Sequence, residues 1–400
     1  MKILFLSRWF PYPPDNGSKI RIFNLIKYLS SGHEVDLVSF TSETIAEERL
    51  AAMRRYCRCV DVALHKPFQP NRLKALLGFL SRRPRSVVDS HSVEMQRLVE
   101  QARRRRSFDV VIASQIDTTP YAMALPRTPK IFEEVELTMP YERFSRERHP
   151  LKRLRKWLTW WKSSRYVADR LRIFDGCTVV SERERELLLR VSLGYRPVGV
   201  IPNGVDIAYY AAHFGLPEAD TLIYSGALTY GANFNAMNFF LREVLPLIQA
   251  KRPNVKLSIT GKLDGVPIHH LPRNDGVILT GYLDDVRPAV AQSWACVVPL
   301  RAGGGTRLKI LEAMALGTPV VSTSKGAEGL EATHGDDILI ADTPAEFADA
   351  VLRLLDDKAL RARLVTNGRR LMEERYSWET SAQKLEQLLH QVIEQRRGVE

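Results

Sequence analysis

Cysteine is scarce in this chain: four residues in 400, at positions 57, 59, 177 and 296. Cys57 and Cys59 have no second pair to complete a zinc site, and Cys177 and Cys296 sit in apolar, strand-like runs. Four buried free thiols are therefore expected, which suits a reducing cytoplasm and argues against a disulfide-built secreted fold. Long apolar runs are also missing. No stretch reaches the roughly 18 apolar residues that a membrane-spanning helix needs. The opening run Met1–Leu6 stops at Ser7-Arg8, too short for the apolar core of a signal peptide. Neither a low-complexity tract nor a repeat of 20–50 residues (the usual period range) is visible. His, Cys, Asp and Glu nowhere fall at metal-ligand spacing, so no metal and no cofactor are expected.

What the chain does have is enough apolar sequence, 45%, to build two cores, with 26% charged residues. Its charge is unevenly spread. Residues 1–200 carry 37 Lys+Arg against 22 Asp+Glu, and residues 201–400 carry 21 against 24. A basic half joined to a near-neutral half suggests that the first half meets something anionic.

Short apolar runs alternate with amphipathic stretches. The first half reads as strands at Ile3–Leu6, Val35–Phe40, Val60–Leu64, Val110–Ala113, Lys130–Phe132 and Thr178–Val180, with a helix at Gly17–Leu29. The alternation restarts with strands at Leu222–Tyr224, Val255–Ile259, Val277–Leu279, Cys296–Val298, Pro319–Val321 and Ile338–Ile340. Helical patterns lie at Asn235–Leu247 and Leu308–Leu316. Strand–helix–strand order implies parallel sheets with right-handed crossovers. The expected fold is α/β: two Rossmann-like, doubly wound parallel-sheet domains facing a central cleft, where ligands meet the carboxyl ends of the strands. Turn-rich Ile201–Asp206 is the candidate linker. The expected domains are 1–203 and 204–376, with a last helix over 377–400 packing back on the first domain.

The segment Pro299–Ala313 carries the strongest chemical signal. Gly303, Gly304 and Gly305 follow a strand and open an amphipathic helix, so backbone N–H groups there can approach a phosphate. Thr306 lies beside them, and Arg307 and Lys309 stand at the helix start. Cations there oppose the helix dipole by roughly 0.3–1 kcal/mol each, a penalty that a bound anion reverses. Glu312 shares a helix face with Lys309 and could accept hydrogen bonds from ribose hydroxyls.

The run Lys309–Val321 (KILEAMALGTPVV) resembles the nucleotide-sugar motif of family-4 glycosyltransferases with the GT-B fold. Val200–Asp206 resembles their inter-domain linker, and Ser225-Gly226 the end of their first C-terminal strand. Gly281–Val286 resembles their loop beside the nucleotide base, and Pro13–Gly17 their N-terminal glycine loop. The resemblance covers nearly the whole chain. It implies a nucleotide-diphosphate sugar as donor and a glycan or lipid-linked acceptor, with retention of configuration, in surface-polysaccharide or lipid-linked glycan assembly; amides, Arg307 and Lys309 on the departing diphosphate remove the need for a metal. The first domain then takes the acceptor side and the second the nucleotide sugar. Donor-binding positions carried over are Gly17, Gly226, Tyr282, Leu283, Gly303, Gly304, Gly305, Thr306, Arg307, Lys309 and Glu312, with Arg307 and Lys309 acting on the leaving diphosphate. Lys262 lies outside these positions and is a reference cation. A nucleotide-sugar epimerase and a non-catalytic nucleotide-sugar-binding protein are the alternatives.

Three departures from the family pattern stand out. Gly304 replaces an earlier Glu, and Ala227 and Gly231 occupy a region that elsewhere carries Arg and Lys. Glu133, in the run Glu133-Glu134-Val135-Glu136, aligns with a His and is the candidate catalytic residue of the first half. Side-by-side carboxylates repel, so one is expected to hold its proton unusually well or to contact hydroxyls. Asp117 is a weaker strand-end candidate. Finally, Arg143–Arg172 holds eleven Lys+Arg and interleaves Trp157, Trp160, Trp161 and Tyr166. Arg72–Arg83 is a second basic-apolar run. Such helices suit an anionic membrane surface, hence an expected cytoplasmic protein with peripheral attachment to the inner face. The alternative is a helix whose Trp face packs on the sheet. Nucleic acid is not an expected partner, because no binding module is recognisable.

Overall fold

The computed structural model describes residues 1–398 except 66, 67, 70, 80, 196, 304 and 305. It divides into two α/β units: 1–202 together with 378–400, and 203–377.

The first unit is built on seven parallel strands: β1 (Lys2–Ser7), β2 (Glu34–Thr41), β3 (Cys59–Leu64), β4 (Val110–Ser114), β5 (Lys130–Glu133), β6 (Gly176–Val179) and β7 (Val198–Val200). Their order is β3-β2-β1-β4-β5-β6-β7. The chain starts in the middle and winds outward both ways, so the order reverses between β1 and β4. Alternate residues of each strand face opposite sides, and both sides are covered. Ile3, Phe5, Leu37 and Ile112 pack with Ile22, Leu25 and Ile26 of the Gly17–Leu29 helix and with Leu385, Leu389 and Val392 of the last helix, Trp378–Arg397. Leu4, Leu6, Val38 and Phe132 pack on the other face with Met95, Val99 and Val167. Asn16 caps the Gly17–Leu29 helix, its side-chain oxygen accepting from the Lys19 amide at 3.1 Å.

The second unit has six parallel strands: β8 (Glu218–Ser225), β9 (Lys256–Thr260), β10 (Val277–Gly281), β11 (Ser293–Val298), β12 (Val320–Ser322) and β13 (Leu339–Ile340). Their order, β10-β9-β8-β11-β12-β13, reverses between β8 and β11. One face packs Leu222, Leu257 and Val297 on Phe240 and Phe347, and the other packs Ile223, Cys296 and Val298 on Ile310, Leu311 and Met314.

Four details differ from expectation. β7 is a short, half-buried strand around Gly199, too brief to show as an apolar run. The expected Asn235–Leu247 helix runs from Gly231 to Lys251 and widens to a π-turn over Phe240–Val244. Pro246, next along the chain, has no N–H to continue regular pairing. The basic stretch is two helices, Thr138–Ser145 and Pro150–Leu171, because Pro150 favours a first helical position. Cys57, Cys177 and Cys296 are buried free thiols, whereas Cys59, at the start of edge strand β3, is only half-buried.

Candidate active site

In a doubly wound sheet, ligands bind outside the carboxyl ends of the strands where the order reverses. In the second unit that point lies between β8 and β11, and the chain supplies Gly226 after β8 and Gly303–Arg307 after β11. The helix that follows, Leu308–Ala315, has Arg307 at its N-cap position, no side-chain cap and no acidic residue in its first turn. Ile310 N–H donates to the Arg307 carbonyl at 2.9 Å, and the amides ahead of it in the first turn have no acceptor within the helix. The Thr306 hydroxyl beside them, in a residue 7% exposed, has no hydrogen-bond partner among the described residues. Gly303 adopts φ +107°, and the Arg307 guanidinium folds back to within 3.3 Å of where its Cβ would be. Gly304 and Gly305 lie outside the described residues.

Lys309 is half-buried in the first turn of this helix. Its ammonium donates to the Tyr224 hydroxyl at 2.7 Å and to Asn233 Oδ1 at 3.2 Å, and stands 3.9 Å from the Tyr224 ring centre. Burial, reinforced by the nearby Arg307 charge, pulls its pKa down to about 7. Glu312, half-buried on the same helix face, accepts from the Tyr210 hydroxyl. Burial raises its pKa, and the Tyr210 bond and Lys309 oppose the rise. A Cβ on Gly226 would stand 2.5 Å from Lys309 Nζ, so only glycine lets the ammonium lie across this strand end. A Cβ on Gly261 would meet the Ala227 amide nitrogen at 2.6 Å, which makes the ends of β8 and β9 close-packed backbone.

Tyr282 is exposed after β10, and Leu283 is half-buried next to it. The Lys262 ammonium lies 5.6 Å from the Tyr282 ring centre, so Lys262 is not the remote reference cation that its sequence position suggested. Tyr210, Tyr224 and Asn233 complete the site and had no sequence signal. Tyr224 reads as one more apolar strand residue, and Tyr210 lies nearly a hundred positions before Lys309 (about 100 by chain number). Cations, a helix N-terminus and a hydroxyl-accepting carboxylate together can bind an anionic group joined to a polyol.

Residues 15–209 match the model Glycosyltransferase Family 4, and residues 219–357 match Glycosyl transferases group 1. The chain belongs to the family-4 glycosyltransferases. An "Uncharacterized 44.6 kDa protein in cps region" of Klebsiella pneumoniae is 22% identical, over 94% of this chain and 96% of that one. Anabaena HepE, solved with UDP, superposes with a TM-score of 0.67 at 17% identity, covering 98% of this chain and 100% of that one. Sucrose-phosphate synthase from Thermosynechococcus elongatus gives 0.68 at 17%, covering 99% and 100%. At such identity these two structures establish the GT-B fold. Family membership is what separates a glycosyltransferase from the epimerase expectation.

The transferase's first unit corrects the sequence reading at Glu133. This carboxylate is fully buried. It accepts from Arg21 Nε at 2.7 Å and from the Ser114 hydroxyl at 2.6 Å, while Arg21, also fully buried, donates to the Ile201 carbonyl at 3.0 Å. Glu133 therefore joins β4, β5 and the Gly17–Leu29 helix and is closed to a substrate. The inward turn of the last strand residue decides this.

The next residue takes the open position. Glu134 has φ +57°, and Gln115, at the end of the adjacent strand, has φ +66°. Neither is glycine, so both conformations are strained, and such strain gathers at functional sites. The Gln115 amide donates to Glu134 Oε2 at 2.9 Å, and Ser18, next to Gly17 in the first turn of its helix, lies 3.5 Å from the same amide. Burial and the neighbouring Glu133 raise the Glu134 pKa to about 7. Gly17 itself is exposed at the helix start. Asp117 is buried against Arg8, with Ser90 at 3.4 Å.

An open cavity of about 510 Å³ lined by Arg103, Arg106 and Arg127 lies where the chain enters β4 and β5. That is the amino end of the sheet, away from these residues. Among the described residues, no three His, Cys, Asp or Glu side chains form a metal-binding group.

Proposed function

We propose that this glycosyltransferase takes a nucleotide-diphosphate sugar as donor and transfers the sugar to a glycan or lipid-linked acceptor, in surface-polysaccharide or lipid-linked glycan assembly. One observation carries the donor reading. An uncapped helix start with an unpartnered Thr306 hydroxyl is followed within two turns by Arg307, Lys309 and Glu312, at the switch point of its own sheet. The amides, Arg307 and Lys309 hold the diphosphate, and Glu312 holds ribose hydroxyls in exchange for the Tyr210 hydroxyl. As the glycosidic bond breaks, negative charge grows on the diphosphate, and fixed cations stabilise it there. With that charge met by Arg307 and Lys309, the reaction needs no divalent metal, and family resemblance supports retention of configuration. HepE was solved with UDP, which makes UDP the first ligand to try.

In the first unit, Glu134 is the acceptor-side residue in place of Glu133. A carboxyl near pKa 7 held by Gln115 can accept a hydrogen bond from an attacking hydroxyl at neutral pH. The direct test is thermal unfolding with a panel of nucleoside diphosphates, UDP among them. A ligand at 100-fold its dissociation constant adds about 2.7 kcal/mol of stability. If no nucleoside diphosphate shifts the transition, the donor reading fails.

A further inference from the structure

The Pro150–Leu171 helix has two apolar faces, and its own unit covers only one. Tyr166, Val167 and Leu171 are buried in the C-terminal half, and Trp160 packs on the same core and against Tyr141. At 100° per residue, Leu151, Leu154, Trp157 and Trp161 form a separate stripe, spaced by three, three and four. These four side chains are 73%, 60%, 42% and 40% exposed. Trp157 and Trp161 stack on one another with ring centres 6.4 Å apart, and the Arg165 guanidinium lies over Trp161. Side chains of this size in contact with water, on consecutive turns, are not a scatter of single exposed residues.

A second exposed apolar segment lies against the same helix. The Lys162 ammonium donates to the carbonyls of Gly78, at 3.2 Å, and Phe79, at 2.8 Å. This ties the turn after the short helix Leu73–Leu77 to the long one, and Leu73, Leu77 and Phe79 are all exposed. Both segments are rimmed by cations. Arg153 and Arg155 are exposed on either side of the stripe, and Arg82 and Arg83 beside the turn. The surroundings agree, since residues 1–200 carry an excess of 15 positive charges and residues 201–400 an excess of three negative ones.

We infer that this face docks on the surface of an anionic lipid bilayer. The apolar stripe enters the interface while the Lys and Arg side chains stay at the level of the lipid phosphates. Charge selects the occupant: a bilayer offers both an apolar layer and a sheet of negative charge, matching a stripe with a basic rim. This inference is independent of the donor reading, because it concerns the first unit's surface alone and its readout is binding.

The test uses the full-length protein and co-sedimentation with vesicles of phosphatidylcholine, with and without phosphatidylglycerol. Wild type should bind only the anionic vesicles, and binding should fall as salt rises from 0.05 M to 1 M, where the Debye length is about 3 Å. The double variant Leu154→Ser, Trp157→Ser should lose about tenfold or more in partitioning with an unchanged thermal midpoint, because neither side chain is in the core. Leu151→Ser, at the most exposed position, gives the same readout should the double variant fold poorly. Lys152→Gln with Arg153→Gln and Arg155→Gln should remove most of the salt-sensitive part. The inference is overturned if wild type ignores anionic vesicles at low salt, or binds neutral ones equally. It is also overturned if the apolar variants bind as wild type does. Concentration-dependent self-association that the apolar variants abolish would assign the face to a second copy of the chain instead.

Discussion

Each unit places a base and an acid near the carboxyl ends of its strands, yet the two pairs are built for different ends. In the first unit Arg21 and Glu133 face each other, fully buried at 2.7 Å, with the Ser114 hydroxyl donating to Glu133 and the Ile201 carbonyl accepting from Arg21. In the second, Lys309 and Glu312 are half-buried and rest on neutral phenols, Tyr224 and Tyr210. A buried charge paired with its opposite is a joint in the structure, and removing one partner strands the other. A half-buried charge whose partners are neutral is held in place without being neutralised, and an incoming ligand of opposite charge or with free hydroxyls can complete it. Residue types alone do not separate these cases; what each charge touches does.

The sharpest way to break this comparison is Glu133→Ala. Leaving Arg21 buried without its partner should destabilise the protein by about 3–5 kcal/mol. Urea denaturation checks this, and a variant that is inactive yet as stable as wild type would restore a catalytic role to Glu133. Lys309→Ala should do the reverse, with an unfolding midpoint no lower than that of wild type and kcat lowered on the order of 10²–10³-fold. Lys256→Ala, an exposed cation at the start of β9, is the matched control in steady-state assays. Equal turnover in the two variants would move the diphosphate elsewhere. Glu312→Ala should weaken binding of a nucleoside diphosphate by about 1.5–3 kcal/mol, read by calorimetry, because a hydrogen bond to a charged group is lost. Unchanged affinity in the folded variant would remove the ribose role.

The last effect is a pH dependence. Lys309 in the free protein changes charge near pH 7, far below its ordinary 10.5. Its ammonium is present below that pH and absent above it, so diphosphate affinity should fall as pH rises through 7, by up to about tenfold per unit. The same shift works oppositely on stability. Between pH 7 and 10.5 the unfolded chain holds the proton and the folded chain does not, so this residue favours folding more as pH rises across that window. Calorimetry from pH 6 to 9 measures the first effect. A flat wild-type profile, or one that Lys309→Met leaves unaltered, would contradict it.

Much of the fold was legible. Parallel strands buried on both faces appear as short apolar runs, and the twelve that were read each overlap a strand of the two sheets, the largest miss being the start of β8, at Glu218 and not Leu222. The helix start at Leu308 lies where the glycine run and cations suggested, and Gly226 lies against Lys309. Glu133 was misread because three acidic residues in four positions look alike in a string. The chain's turn after β5 sends one inward to Arg21 and leaves the next in a strained, more open conformation. The tryptophans were half-read: a face packed on the sheet and a face offered to a membrane were weighed as alternatives, whereas one helix carries both an inward Trp160 and an outward Trp157 and Trp161.

The sequence by itself determined the alternation of strand and helix, the restart that makes two units, and the glycine-and-cation start of the Leu308–Ala315 helix. Each depends only on neighbours within a few turns of chain, through periodicity, glycine's freedom and the helix dipole. The tertiary structure alone decided the partners: Arg21 for Glu133, Gln115 for Glu134, Tyr224 and Asn233 for Lys309, and Tyr210 for Glu312. These contacts join residues from separate elements, and burial, strain and pKa belong to such contacts. No local pattern encodes which charge will be neutralised and which will rest on neutral partners.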